Sequence, residues 1–294
     1  MKNHRAGFVM LMGNPNAGKS TLLNSLLNEK ISIVSPKVQT TRHRIKGILT
    51  EENYQIVFSD TPGLLQPKYE LHKSMLEEIN SAVEDADLIV PVISAFEKEK
   101  DWQASAELLK NISKQKLFVL NKTDFFQSDA ETNAVLEKWK TFFGITEMIP
   151  ISATTKANLP SLVEKIVEHL PENPPFYNED ELTDKSQRFI VSEIIREKIF
   201  EQFQEEIPYS CEVIVTDYKD AENIARIYAS IFVERESQKA ILLGKGGSAI
   251  KNLGITSREA AEKFIGKKIF LELTVKVKGN WRNNKLILKQ LGYK

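Results

Sequence analysis

The sequence predicts two domains in series: an α/β domain with a mostly parallel sheet and helices on both faces, then a smaller α+β domain. Three observations carry this expectation. Through the first 170 residues, strand-like apolar runs alternate with stretches of helical spacing, the rhythm of successive βα units. Pro171-Glu172-Asn173-Pro174-Pro175 then interrupts that rhythm, and the residues up to Ser186 are rich in Asp and Glu and poor in apolar side chains, as expected of a linker. Beyond it the charge changes sign. Residues 235–294 hold 14 Lys and Arg against four Asp and Glu, and because the 294-residue chain balances 40 basic with 40 acidic side chains, residues 1–234 carry the compensating ten negative charges. The expected boundaries are 1–171, a linker at 172–186, and 187–294.

The first strand is expected at 7–12, within Gly7-Phe8-Val9-Met10-Leu11-Met12, and the first helix at 19–28. Strands follow at 45–50, 54–59, 88–93, 116–121 and 147–151, with helices at 70–83, 102–113, 130–142 and 158–169. Only Glu51-Glu52-Asn53 joins the second and third strands, too little chain for a parallel crossover, so that pair is expected to be an antiparallel hairpin. After the linker come a helix at 188–205, strands near 210–217 and 225–234, a short strand at 238–243, two helices across 247–265, a strand at 269–277 and a terminal helix near 281–291.

Between the first strand and first helix lies Gly13-Asn14-Pro15-Asn16-Ala17-Gly18-Lys19-Ser20. Strand, glycine loop, helix is the context a phosphate-binding loop requires. The backbone of Gly13, Asn14, Asn16, Ala17 and Gly18 can wrap a polyphosphate whose charge the helix start favours. Lys19 reaches the outer phosphates, Ser20 ligates Mg²⁺, and Thr21 completes the cradle. Three further segments make the site specific. Asp60-Thr61-Pro62-Gly63 ends the third strand, where Asp60 can hold Mg²⁺ through water and the Gly63 N–H can approach a γ-phosphate. Asn121-Lys122-Thr123-Asp124 ends the fifth strand. An ionised Asp124 only accepts hydrogen bonds, which suits the N1–H and 2-amino donors of guanine and rejects adenine. Ser152-Ala153 follows the next strand, where backbone N–H groups can reach guanine O6.

Gln39-Thr40-Thr41-Arg42 lies between the first helix and second strand. A Thr hydroxyl there can close on Mg²⁺ while the γ-phosphate is present and leave when it is lost; Thr41 is favoured over Thr40. Lys19, Thr41 and Gly63 are the expected catalytic groups. Leu64 stands where many GTPases carry a Gln that orients the attacking water, so slow intrinsic turnover is expected.

In the basic C-terminal part, Gly244-Lys245-Gly246-Gly247 is a Gly-x-x-Gly turn read as joining a strand to a helix. With an element order of the α-β-β-α-α-β type it fits a KH module of type II, whose glycine turn clamps an RNA backbone. Lys245 and Lys251 are the expected phosphate contacts, and Arg258, Lys263, Lys267, Lys268, Lys276 and Lys278 add a salt-sensitive term. Trp281 and Tyr293 are read as packing residues rather than base-stacking ones. Cys211, the single cysteine, admits no intramolecular disulfide and reads as buried filler. His4, His43, His72 and His169 are scattered. Met1-Lys2-Asn3-His4-Arg5 leads straight into the first strand, so no signal peptide is expected, and no apolar run approaches a spanning helix.

Together Gly13–Ser20, Gln39–Arg44, Asp60–Gly63, Asn121–Asp124, Ser152-Ala153, Pro174-Pro175, Thr183-Asp184 and Gly244–Gly247 within the surrounding Val233–Lys239 context resemble the Era family of bacterial GTPases with a C-terminal KH domain. The resemblance covers nearly the whole chain. It implies an α/β P-loop GTPase domain followed by a type II KH domain, with GTP/GDP and Mg²⁺ as ligands. It implies binding of the 3′ region of 16S ribosomal RNA and a role in maturation of the small (30S) ribosomal subunit. It further implies a cytoplasmic protein that meets the inner face of the membrane peripherally, a hydrophobic residue in place of the catalytic Gln, and a K⁺ site near Asn16. A monomer is the expected state.

Overall fold

The computed structural model describes residues 4–64 and 67–293. Met1–Asn3, which carry part of the expectation about a signal peptide, lie outside the described residues. The chain divides into two compact units. The first comprises Met1–Ser32, Thr41–Gln66 and Met75–Asp184, and the second comprises Ile33–Thr40, Pro67–Ser74 and Lys185–Lys294.

The first unit is built from β1 (Arg5–Met12), α1 (Lys19–Leu27), β2 (Ile45–Glu51), β3 (Tyr54–Asp60), α2 (Glu70–Asp85, from Met75 onward), β4 (Leu88–Ser94), α3 (Glu99–Asn111), β5 (Gln115–Lys116), β6 (Val119–Asn121), α4 (Asp129–Phe143), β7 (Ile149–Pro150) and α5 (Leu159–His169). The sheet order is β2-β3-β1-β4-β6-β7, with β5 beside β4. All pairs are parallel except β2 with β3, which form the expected hairpin. Every residue of β4 is buried, as a central parallel strand covered on both faces must be. One side of the sheet packs Met10, Ile89, Ile93 and Leu120 against Trp102 and Trp139. Those indoles meet edge to face at 6.5 Å, fixing α3 against α4. The expected strand at 116–121 is split in two, and that at 147–151 is shorter than its apolar run.

The acidic, Pro-rich stretch expected as a linker is laid down on the first unit as far as Asp184. The cause is a buried amide that composition does not reveal. Gln55 is fully buried, and its Oε1 accepts the N–H groups of Phe176 (2.7 Å) and Tyr177 (3.0 Å). Its Nε2 donates to Tyr177 O at 2.9 Å, so no polar group of the side chain is left unsatisfied. The Phe176 ring lies 4.9 Å from that of Phe8, and Ile48 N–H donates to Leu182 O at 2.9 Å.

The second unit contains α6 (Gln187–Gln202), α7 (Ile207–Ser210), β8 (Glu212–Asp220), β9 (Ile224–Val233), α8 (Glu236–Leu243), α9 (Ser248–Ile265), β10 (Lys268–Val277) and α10 (Lys285–Gln290). β9 is central, antiparallel to β8 and parallel to β10. Its odd-numbered residues Ala225 to Val233 join Val191, Ile195, Leu242, Leu253 and Ala261 in one core, the period-2 pattern of a half-buried strand. Cys211 belongs to that core, as filler. The strand expected at 238–243 is the helix α8. Gln238 Oε1 accepts the N–H groups of Glu234 (2.9 Å) and Arg235 (3.1 Å), starting a helix, and four apolar residues are too few to establish a strand period. The two helices expected across 247–265 are one. Gly254 is tolerated inside it, and a Cβ there would lie 3.9 Å from Leu273 of β10.

Candidate functional site

The ligand side of an open α/β sheet is the carboxyl end of its strands. There the structure gathers the turns after β1, β3, β6 and β7. The loop after β1 is shaped by contacts that require glycine. A Cβ on Gly13 would lie 2.5 Å from Val92 O, and one on Gly18, at φ +97°, would lie 2.3 Å from Asn121 Nδ2. A Cβ on Gly63 would meet Pro15 N at 2.7 Å. Leu64 N–H donates to Gly13 O at 3.2 Å, tying the third-strand turn to the phosphate loop. Lys19 is buried, and its Nζ donates to Gly13 O and Asn14 O, both at 3.0 Å. Burial pushes its ammonium below the usual lysine range, against the pull of Asp60 and Glu97. Thr21 is half-buried on α1.

Ser20, Thr41 and Asp60 meet. Ser20 Oγ lies 2.7 Å from Asp60 Oδ2, to which it donates, and 2.9 Å from Thr41 Oγ1. Asp60 is fully buried, and burial drives its carboxyl above the ordinary range although Ser20, Lys19, Ser32 and Thr41 pull it down. Its Oδ1 is buried with no hydrogen-bond partner. Two hydroxyls around a desolvated carboxylate with an unspent oxygen form a hard-oxygen donor set of the kind Mg²⁺ takes, so the residues fit that ion. Thr40 is committed elsewhere. It lies in the second unit, its Oγ1 donating to Lys37 O at 2.7 Å and its carbonyl accepting from Arg196. In the same unit Val34 N–H donates to Glu197 Oε1 at 2.9 Å, and Lys37 Nζ to Phe200 O at 2.6 Å. Thus the structure sets Thr41, not Thr40, beside Ser20 and Asp60.

At the base end, Asn121 links three turns. Its Nδ2 donates to Ala17 O at 3.0 Å, and its Oδ1 accepts from Lys122 N (2.8 Å) and Ala153 N (3.0 Å). Lys122, at φ +67°, extends Nζ to Asn16 O at 2.7 Å. The Asp124 side chain is exposed and makes no hydrogen bond or ion pair among the described residues. The expected donors to guanine O6 have partners within the protein. Ser152 N–H bonds Ala157 O at 3.1 Å, and Ala153 N–H is taken by Asn121. Both N–H groups help to shape the turn.

Sequence reasoning missed Glu97 and Ser105. Asn14 is buried, donating Nδ2 to Glu97 Oε1 (2.8 Å) and Asp101 O (3.1 Å), while Ser105 Oγ donates to its Oδ1 at 3.0 Å. Glu97 is itself held by Ser94 N–H at 2.5 Å. The available signal was its place just beyond the carboxyl end of β4.

In the second unit the glycine turn joins α8 to α9, correcting the strand-to-helix expectation. Gly244, Gly246 and Gly247 have φ of +69°, +60° and +78°, a region that disfavours side chains. A Cβ on Gly244 would meet Ala249 Cβ at 2.7 Å, whereas Gly246 and Gly247 face open space, so another backbone can come close. Lys245, Gly246 and Lys251 are exposed. Three of the other basic residues are paired: Arg258 and Lys268 with Glu262, and Lys267 with Asp220. Trp281 and Tyr293 are buried, donating to Ser210 O (3.0 Å) and Glu212 Oε2 (2.5 Å).

Comparison with known proteins bears on both units. Residues 8–122 match a family described as 50S ribosome-binding GTPase, and residues 206–282 match the KH domain family. GTPase Era of Nitrosomonas eutropha (strain DSM 101675 / C91 / Nm57) is 41% identical over 293 residues, covering 99% of this chain and 98% of the relative. A solved structure of an Aquifex aeolicus Era variant bound to GDP and AlF4⁻ is 37% identical with a TM-score of 0.93, over 98% of this chain and 99% of the other. Another, Era in complex with MgGDPNP and nucleotides 1506–1542 of 16S ribosomal RNA, is 36% identical with a TM-score of 0.92, over 99% of each chain.

Proposed function

The chain belongs to the Era family of GTPases, and from that premise we propose that it couples GTP hydrolysis to holding and releasing the 3′ region of 16S ribosomal RNA during assembly of the small ribosomal subunit. One observation supports this reading above the others. A nucleotide site with an unspent carboxylate for guanine and a glycine turn open to an RNA backbone lie on one chain, and a relative of the same length binds MgGDPNP together with that RNA segment.

The reaction is GTP and water to GDP and phosphate. Lys19 leaves the loop carbonyls for the β- and γ-phosphates, and the N–H groups opening α1 carry the rest of their charge. Ser20, Thr41 and Asp60 hold Mg²⁺, which neutralises charge between the outer phosphates when bound. Gly63 brings its N–H to the γ-phosphate. Asp124 accepts from guanine N1–H and its 2-amino group. Leu64 packs into the core beside α2 and offers no polar group to water, so turnover is slow without further help. K⁺ held near Asn16 is one such source of charge. Gly244, Lys245, Gly246, Gly247 and Lys251 clamp the RNA backbone. Among the described residues no helix is long and apolar enough to cross a membrane, and contact with the inner membrane face, if made from the cytoplasm, is peripheral through the basic C-terminal part. The protein works as a monomer.

The test is fluorescence anisotropy with labelled RNA from the small-subunit 3′ end and protein loaded with GTP analogue or GDP. Tighter binding in one nucleotide state is expected. Equal binding in both states, or none, would refute the coupling.

A further inference from the structure

The turns that build the nucleotide site leave out the loop between β4 and α3, yet Glu97 in that loop reaches the phosphate loop. Its own position is tightly set. Glu97 N–H donates to Ser94 O at 3.0 Å, and Ser94 N–H returns a bond to Glu97 Oε2 at 2.5 Å. Ala95 N–H donates to Asn121 O at 3.0 Å, which ties the same loop to the base turn. From this fixed base the carboxylate offers Oε1 to Asn14 Nδ2 at 2.8 Å. Asp101 O and Ser105 Oγ hold the rest of that amide. A carbonyl only accepts, so Asp101 O requires the nitrogen end of Asn14 on its side. Glu97 is thereby the charged acceptor of a strong bond from the same nitrogen.

Asn14 matters for the residue that follows it. Pro15 is rigid and lies against Gly63, on which a Cβ would sit 2.7 Å from Pro15 N and 2.8 Å from its Cα. The turn that bears Gly63 is held from its own side. Thr61 Oγ1 donates to Leu11 O at 3.1 Å, and Leu64 N–H donates to Gly13 O. Two backbones therefore meet at Pro15 and Gly63. One is fixed by β1 and its end, and the other is fixed through the Asn14 side chain on Glu97 and α3.

We infer that Glu97 is a positioning residue for the γ-phosphate: by holding Asn14 it sets the spacing between the phosphate loop and the Gly63 turn, and so favours GTP over GDP. GDP has no γ-phosphate to place against Gly63 and takes its contacts from the loop and the base turn. Glu97 acts through Asn14 and Pro15 and needs no contact with the nucleotide. A misplacement of about 1 Å at such a spacing costs on the order of a hundredfold in rate. The inference rests on the proposed place of the γ-phosphate at the Gly63 N–H.

The experiment is calorimetric titration of the full chain with Mg·GDP and with the Mg²⁺ complex of a non-hydrolysable GTP analogue, beside single-turnover phosphate release. The readout is the ratio of the two affinities. Ser94 N–H and Asn14 Nδ2 both need an acceptor, so Glu97→Gln loses one of the two bonds. Its affinity for the analogue should fall roughly tenfold more than that for GDP, the scale of one hydrogen bond to a charged group, and phosphate release should slow. Ser105→Ala loosens the same Asn14 amide while keeping the charge that Glu97 exerts on Lys19. It should move the ratio the same way by about threefold, and it decides the question if Glu97→Gln does not fold. Gly63→Ala presses on Pro15 directly and should lower the ratio in its own right. Equal losses for GDP and the analogue would mean that Glu97 only stabilises the loop, and would overturn the inference. If Gly63→Ala moves the ratio while Glu97→Gln and Ser105→Ala do not, the inference falls and the place of the γ-phosphate stands. If none of the three moves it, that place is lost as well.

Discussion

Ser20 Oγ donates to Asp60 Oδ2 across 2.7 Å, and the other carboxylate oxygen is buried without a partner. The relationship places a negative charge in a desolvated site that only a cation can fully satisfy. Burial holds the Asp60 carboxyl above its ordinary range, so the folded protein keeps this proton at pH values where the unfolded chain has lost it. The contribution of Asp60 to stability is therefore present at low pH and declines as pH rises through that window. In Asp60→Asn the metal-free protein should melt higher at neutral pH than the parent, by a few degrees for each ~1 kcal/mol. Its affinity for Mg·GDP should fall. The parent's Mg·GDP affinity should weaken on acidification toward the carboxylate range, and the variant's should stay flat. Calorimetric titrations across pH, with and without Mg²⁺, provide the check.

Thr40 and Thr41 are adjacent in sequence and separated in role. The Thr40 hydroxyl closes a turn on Lys37 O, and the Thr41 hydroxyl lies 2.9 Å from Ser20 Oγ. Thr41→Ala should slow single-turnover hydrolysis by roughly two orders of magnitude, the scale on which losing a group that organises transition-state charge is felt. Thr40→Ala should stay within about threefold of the parent, since only one turn hydrogen bond of about 1 kcal/mol is removed. Phosphate release measured at saturating GTP separates the two.

The reach of sequence reasoning is uneven, for physical reasons. The sheet hairpin, the phosphate loop and Asn121 were legible because each depends on local chemistry: a short connection, glycine, a strand end. Gln55 was not, because its amide clamps residues more than a hundred positions away and nothing nearby marks it. Ser105 was invisible for the same reason, since its partner Asn14 lies across the fold, and Glu97 offered only its place just beyond the carboxyl end of β4. Helix α8 was missed because Ala240–Leu243 is too short to show a period, while the decisive cap, Gln238, is an ordinary polar residue. Ser152-Ala153 was read from its place after a strand, which does not reveal that both N–H groups find partners within the protein.

Asp124 is exposed and makes no hydrogen bond or ion pair among the described residues, so its acceptors are available to a base. Asp124→Asn presents an amide that complements xanthine instead. The variant should lose GTP affinity by about two orders of magnitude or more, because a buried polar edge of the base is left unpaired. It should gain xanthosine triphosphate binding. Competition of labelled GTP with ATP, GTP and xanthosine triphosphate reads both effects. An unchanged order of preference would show that the base is selected elsewhere.

Lys245 and Gly246 are exposed at the tip of the turn between α8 and α9, and a Cβ on Gly246 would touch nothing. A side chain at Gly246 would meet no neighbour, although its φ of +60° strains the turn locally, so Lys245→Asp alone is measured beside the double variant. Lys245→Asp with Gly246→Asp should leave GTP affinity unchanged and weaken binding of the ribosomal RNA 3′ end by at least about tenfold. Removing one phosphate contact should also lower the slope of log affinity against log salt by about 0.7 for a single strand. Titrations at three salt concentrations, with GTP binding measured on the same samples, give both numbers. RNA affinity and salt slope that match the parent would place the clamp outside Gly244–Gly247.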